Sequence, residues 1–279
     1  MAVGIIIIGD EILSGRRHDK HLPKIIELLT ERGMQLGWAE YVGDDPERIT
    51  ATLRRTFASD DIVFVTGGIG ATPDDHTRQC AAAALNVPLV LTPEAEALIM
   101  ERIADTSPDG VADMTQADNR HRLKMGEFPV GARVLPNPYN KIPGFSVEHH
   151  HFMPGFPVMA WPMMAWVLDT YYADLHHLTK HTERSVLVFG LAESTLTPLM
   201  EAIEAEYSGI KVFSLPSVGD AERGAIYARR HIDLGVKGDP TLVGAAFERL
   251  IAGVNALGGE IVHPAEAVAL PEGTVPSAK

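Results

Sequence analysis

The chain has 279 residues, 46% hydrophobic and 22% charged, with a net charge of −13 and one cysteine. That length and balance support one large or two smaller globular domains and exclude wholesale disorder. The acidic balance, pI about 5.3, argues against nucleic-acid binding, and a single cysteine excludes an internal disulfide.

Val3 to Ile8 is an apolar, β-branched run ended by Gly9, the pattern of a central parallel strand. It is too short for a signal segment or a membrane span, so no membrane partner is expected, and the cysteine usage fits a reducing cytoplasm. Leu22, Ile25, Ile26 and Leu29 follow at helical spacing, with Gly33 as a stop. Trp38 to Val42 reads as a strand, and Asp45-Pro46-Glu47 as an N-cap with proline at the first helical position. Ile49, Leu53 and Phe57 line the face of that helix. Ile62 to Val65 is a third strand, and a helix is predicted from about Asp75 to Leu85, carrying Cys80 as a small buried hydrophobe. Val87 to Leu91 is a short strand, and Thr92-Pro93-Glu94 opens a helix with Leu98 and Ile103 on its inner side.

This alternation predicts an α/β fold, a mainly parallel sheet with helices on both faces. Residues 106 to 160, rich in Pro, Gly and Asn, read as loops and edge strands folding back on that first domain, assigned to residues 1–170. A second unit, residues 182–263, reads as β-α-β-β-α-β, a small α+β domain. Its strands are placed at Ser185 to Phe189, Ile210 to Ser214, Ala225 to Arg230 and Glu260 to His263, its helices at Glu193 to Tyr207 and Asp239 to Ala256. Residues 264–279 read as a flexible tail.

Ligands of parallel α/β sheets bind outside the carboxyl ends of the strands. Gly9-Asp10-Glu11 and the segment Thr66-Gly67-Gly68-Ile69-Gly70-Ala71-Thr72-Pro73-Asp74-Asp75 both lie there. Glycines let a backbone turn sharply and come close to a ligand, and freed N–H groups make an anion site. The adjacent acids Asp74 and Asp75 suit a divalent cation or acid–base work. Asp10 and Glu11, and Asp44 and Asp45, read equally well as helix caps. The glycine segment is neither a P-loop nor a dinucleotide fingerprint. Glu148-His149-His150-His151, with His176, His177 and His181, matches no metal-site spacing and reads as solvated or partly packed histidines. Trp161, Met163, Met164 and Trp166, interrupted by Pro162, read as core or subunit contact.

Several of these motifs coincide with one family. Gly9-Asp10-Glu11-Ile12-Leu13-Ser14-Gly15, Val42-Gly43-Asp44-Asp45, Thr66 to Thr77, Asn137-Pro138, Pro143-Gly144 and Pro154-Gly155 resemble the molybdopterin-binding (MoCF-type) domain family, and within it the CinA group. Gly190-Leu191-Ala192-Glu193-Ser194 is similar to a motif of the CinA middle domain. The resemblance covers about residues 3 to 262 and omits the amidohydrolase domain of longer CinA proteins, whose activity is not carried over. It implies a pocket for a phosphorylated pterin, such as molybdopterin, or a nucleotide. It further implies either a metal-dependent ADP-ribose pyrophosphatase, a catalytically silent binding or regulatory protein, or a transferase of molybdenum-cofactor assembly.

By that analogy Gly9, Asp10, Glu11, Thr66, Gly67, Gly68, Gly70, Thr72, Asn137, Lys141, Pro143, Gly144, Pro154 and Gly155 bind ligand. Asp44, Asp74 and Asp75 act in catalysis, with Asp75 on a Mg²⁺ or similar ion. The fold's habit and the Met/Trp segment suggest a homo-oligomer, a dimer first. This sequence departs from the family pattern in four places. Leu-Gly-Pro-Thr reads Ile69-Gly70-Ala71-Thr72, and Asp-Thr-Asn reads Asp19-Lys20-His21. Asn137 to Gly144 carries Asn140, Lys141 and Ile142 for Gly, Thr and Ala. Pro154 to Ala160 lacks the family's Glu, a loss assigned to Ala160 that sets binding ahead of catalysis.

Overall fold

The computed structural model describes residues 1–178 and 182–263, in two compact units. His181 and the segment 264–279 lie outside the described residues.

The first unit is built on a six-stranded sheet of β1 (Val3–Ile8), β2 (Leu36–Val42), β3 (Ile62–Thr66), β6 (Arg133–Leu135), β7 (Gly144–Val147) and β8 (His150–Met153). Its order is β2-β1-β3-β8-β7-β6. The first four strands run parallel, and β7 lies antiparallel to both of its neighbours, β8 and β6. Because side chains alternate along a strand, Ile5 and Ile7 enter one core and Ile6 and Ile8 the other. Below one face pack α2 (His21–Glu31) and α7 (Pro157–Tyr171), through Ile25, Leu29, Met163, Met164, Val167 and Leu168. Against the other face pack α3 (Pro46–Phe57), α4 (Thr77–Leu85) and α5 (Pro93–Thr106). There Phe128, Phe145 and Phe152 stack with centroids 4.9 and 4.3 Å apart. β1 and β3 are buried on both faces, which is why they read as unbroken apolar runs. A short α1 (Asp10–Leu13), a two-stranded ribbon of β4 (Leu89–Leu91) and β5 (Glu127–Pro129), and α6 (Ala117–Leu123) complete the unit. No described helix is long and apolar enough to cross a membrane.

Two expectations change here. Residues 106–160 are not only loops and edge strands, since β8 lies inside the sheet between β3 and β7 with every residue buried. Pro162, which interrupts the apolar stretch in sequence, sits within α7, and the burial of Met163, Met164, Val167 and Leu168 outweighs the lost backbone bond, a cost of about 3 kcal/mol. Trp161 and Trp166 pack partly buried against the same core, which takes up the apolarity of the segment. Finally, His150 and His151 are not solvated or partly packed but 1% and 0% exposed. His150 Nε2 lies 2.9 Å from Thr56 Oγ1, while His151 bridges Ser146 Oγ at 2.9 Å and Tyr172 OH at 2.8 Å.

The second unit orders β9 (Thr182–Phe189), β10 (Lys211–Ser217), β11 (His231–Gly238) and β12 (Glu260–Val262) as β10-β11-β9-β12, all antiparallel. Helices α8 (Glu193–Glu206) and α9 (Pro240–Ala256) cover one face through Leu196, Ile203, Phe247 and Leu250. Ala225 to Arg230 is a turn rather than a strand, because β10 pairs with His231–Gly238. Its apolar residues Ile226 and Tyr227 instead pack with Leu187 and Phe189.

Burial holds the pKa of both His150 and His151 down to about 3. An unfolded histidine titrates near 6.5, so between about pH 3 and 6.5 the unfolded chain binds more protons. Stability should therefore be unaffected by this pair above pH 7 and fall below 6.5, by up to about 1.4 kcal/mol per pH unit for each histidine. Urea denaturation at pH 7.5, 6.5 and 5.5 measures the slope, and equal midpoints would contradict it.

Candidate functional site

At the carboxyl ends of β1 and β3 a cavity of about 710 Å³ opens. That is a size suited to a small molecule. One wall is the turn that follows β3. Gly67 and Gly68 take positive φ, 97° and 66°. A Cβ on Gly67 would lie 2.2 Å from the Ile8 carbonyl oxygen, so the close approach of β1 and the turn requires glycine there.

The carbonyls of this turn are held from behind. Thr77 Oγ1 donates to Gly67 O at 3.0 Å, and Thr77 N–H donates to Gly68 O at 2.9 Å. The buried Arg78 guanidinium donates to Gly70 O at 2.5 Å and to Lys124 O. His121 Nε2 meets Ala71 O at 2.6 Å, donating because a carbonyl can only accept. In a trans peptide the N–H points opposite to the C=O. The amides of Gly68, Ile69 and Ala71 therefore face away from these props. Among the described residues the amides of Gly68, Ile69, Gly70 and Ala71 have no acceptor in the protein. The next amide, Thr72, is closed off by Asp75 Oδ2 at 2.8 Å, which also accepts from Thr72 Oγ1 at 2.6 Å.

The facing wall carries charge. Asp10 N–H donates to Asp44 Oδ2 at 2.9 Å and Asp44 N–H to Asp10 Oδ1 at 3.2 Å, clasping the loop after β1 to the loop after β2. Asp45, by contrast, caps α3 through the amides of Glu47 and Arg48. Burial, reinforced by the charges of Asp10, Glu11 and Asp74, pushes the Asp44 carboxyl above its ordinary pKa, against the pull of the Asp10 N–H. Thr72 and its own amide hold Asp74 below the ordinary value. Arg16 and Arg17 also line the cavity, and neither has a carboxylate within ion-pair distance among the described residues.

Of the sequence-derived residues, Gly9, Glu11, Asp44, Thr66, Gly67, Gly68, Gly70, Thr72, Asp74, Asp75, Pro143, Pro154 and Gly155 line this cavity. Asp10, Asn137, Lys141 and Gly144 do not. Lys141 is paired with Glu101 and Asp105, both at 2.6 Å. Asn137 is buried and shapes its own loop, donating to Asn140 Oδ1 and Ile142 O and accepting from Tyr139 N–H. Gly144 sits in β7, where a Cβ would lie 2.2 Å from Phe152 O. Counted from Pro154, the family's Glu position falls on Met159 rather than Ala160. Met159 lines the cavity, and Ala160 is wholly buried in the core. Sequence reasoning named His21 only as a departure from the family pattern and missed Arg16, Arg17, Arg78 and His121. Of these four only the two arginines, consecutive cations soon after Gly9-Asp10-Glu11, left a local signal.

Among the described residues no three His, Cys, Asp or Glu side chains gather as a ready cation cage. Mg²⁺ bound to nucleotides commonly uses only one or two carboxylates, with water and substrate phosphate completing the shell. Asp44 and Asp74 suit that arrangement, and Asp75 keeps Oδ1 outside its bonds to Thr72.

Residues 4–174 match the family described as "Probable molybdopterin binding domain". A CinA-like protein of Anaeromyxobacter sp. (strain K) is 33% identical over 162 residues, 57% of this chain and 38% of its own length. One from Citrifermentans bemidjiense is 32% identical over 221 residues, 76% of this chain and 50% of its own. The chain thus spans half or less of these relatives. The solved structure of the protein CinA, of unknown function, from Thermoplasma acidophilum aligns at a TM-score of 0.51 and 27% identity, covering 61% of this chain and 98% of that one. On the match over residues 4–174, together with these relatives, the chain belongs to the molybdopterin-binding domain family and is CinA-like.

Proposed function

We propose that the cavity binds a phosphorylated heterocycle, a pterin of the molybdopterin kind or a nucleotide. The observation that carries this reading is the run of acceptor-free amides from Gly68 to Ala71, of which those of Gly68, Ile69 and Ala71 are set by the bonds of Thr77 and Arg78 to the preceding carbonyls. Backbone amides of fixed direction are the standard means of holding a phosphate without mobile side chains. Arg16 and Arg17 supply positive charge across the cavity, and Ile12, Ile69, Ile142, Met125 and Phe156 supply apolar surface for a ring.

A second reading adds hydrolysis of a phosphoanhydride bond. It is favoured by the crowding of Asp44 with Asp10, Glu11 and Asp74, which creates a negative pocket edge able to take a divalent cation. Bound there with phosphate, such an ion would offset ligand charge. Asp44 and Asp74 would hold it, and Asp75 would orient a water. Met159 at the family's Glu position ranks binding above turnover.

Calorimetry with AMP tests the binding reading. Arg16→Gln and Arg17→Gln should each weaken AMP by about tenfold, the scale of a charge-assisted hydrogen bond, whereas Lys141→Ala should leave it unchanged. Absence of AMP and pterin-phosphate binding by the native protein would overturn the reading. For hydrolysis, ADP-ribose with Mg²⁺ should yield AMP and ribose phosphate at a rate that Asp44→Asn lowers at least about a hundredfold. Turnover equal to that variant's would leave a silent binding protein.

A further inference from the structure

His21 stands where the family pattern has an amide, and it lies at the first position of α2 on the cavity wall. The residue is 4% exposed, although it lines an open cavity. Its Nε2 lies 3.0 Å from the carbonyl oxygen of Gly155. A carbonyl oxygen accepts and cannot donate, so Nε2 carries the proton and Nδ1 keeps a lone pair. That Nδ1 is closed off and without a partner. Burial also lowers the pKa of the ring, opposed by Gly155 O and by Asp19. His21 is therefore a neutral donor with its one proton committed, and it brings no positive charge to a phosphate.

What the committed proton does follows from its partner. Gly155 belongs to the loop Pro154-Gly155-Phe156, and all three residues line the cavity. The loop abuts the glycine turn: a Cβ on Gly155 would stand 3.4 Å from Gly67 Cα. Gly67 N–H in turn donates to Met153 O at 3.1 Å, the last residue of β8 before this loop. Among the described residues no other donor reaches Gly155 O. Asp19 fixes the ring's own backbone, accepting from the amides of His21 and Leu22 at 2.8 and 3.1 Å.

We propose that His21 is a positioning residue of this cavity, latching the Pro154–Phe156 wall against the glycine turn through one imidazole N–H. The latch joins the start of α2 to the loop after β8, two segments that the sheet alone leaves independent. It rests on the reading of the cavity as a phosphate-ligand site only for its effect on affinity. Its effect on the wall stands without that reading.

The experiment pairs two readouts on the full chain. His21→Phe keeps a ring of similar size and removes the donor, and His21→Gln restores an N–H at similar reach. Amide hydrogen exchange is followed at Gly67, Gly155 and Phe156, and AMP affinity by calorimetry at pH 7.5. The latch predicts faster exchange at these amides in His21→Phe and a loss of AMP affinity of about five- to tenfold, the scale of one buried hydrogen bond. It predicts recovery of both in His21→Gln. A space-filling role alone would leave His21→Phe native-like and disturb His21→Gln, which overturns the proposal. Unchanged exchange in His21→Phe also overturns it. If the native protein fails to bind AMP, that result falls on the phosphate reading, and the exchange pattern still decides the latch.

Discussion

Everything the pocket can do depends on where the carbonyls of one turn are sent. Between Gly67 and Ala71 four peptide oxygens are taken by Thr77 Oγ1, Thr77 N–H, Arg78 and His121. A planar trans peptide leaves no freedom after that, because fixing each oxygen fixes the next amide in the opposite direction. Arg78 bears the largest burden, since its guanidinium is buried and must find acceptors there. Its bonds to Gly70 O and Lys124 O use a charge to brace a neutral backbone, with Asp75 and Glu127 as the nearest compensating carboxylates. A turn braced in this way presents amides with no reorganisation left to perform when an anion arrives.

The sheet delivers this turn to the rim. β1 and β3 pair in parallel from Val3 opposite Ile62 to Ile7 opposite Thr66, so the two chains end together. Beyond them Gly9 and Gly67 diverge. Gly67 has no room for a side chain against Ile8 O, while a Cβ on Gly9 would meet the Glu11 carboxylate at 2.5 Å. The third loop at this rim, after β2, is tied to the first by the reciprocal bonds of Asp10 and Asp44. Three loops separated by about sixty residues of sequence are thus held to one another by register and by backbone bonds, and the helices on both faces supply the burial that keeps the register from slipping.

The legible part of this architecture was whatever local chemistry dictates. The runs Val3–Ile8 and Ile62–Val65 can only be two-sided strands, Asp45-Pro46 can hardly be anything but a helix start, and three glycines after a strand declare a tight turn. What escaped is what the fold brings from elsewhere. Arg78 looks like an ordinary surface residue of α4, and His121 reaches Ala71 from another helix. Residue type alone also says little about where a side chain goes. Lys141 finds Glu101 and Asp105 on α5, Asn137 spends its amide on its own loop, and Ala225–Arg230, read as a strand, is a turn. Tyr227 spends its ring on the open face of the second sheet. His150 and His151 looked polar enough for solvent, but two hydroxyls on neighbouring elements, Thr56 and Tyr172, made a buried place for them.

The charge pattern then limits the chemistry. Four carboxylates, Glu11, Asp44, Asp74 and Asp75, share the lining with two arginines, and His21 is neutral. A phosphate placed among them meets net repulsion from side chains unless the backbone amides and the arginines take the near side. The carboxylates are not equivalent. Asp75 is spent on Thr72, Asp10 on Asp44, and Asp44 itself is held above its ordinary pKa by burial and by its acidic neighbours. A cation binding beside Asp44 would relieve that crowding, whereas a bare anion would add to it. On the proposed reading the amides and the arginines would serve binding whatever the reaction, and beyond their bonds to the loops the carboxylates would gain a further task only if a cation came with the ligand. Met159, apolar where the family pattern carries a glutamate, leaves one negative charge fewer in the same lining, and on the proposed reading that would favour holding an anion over cleaving it.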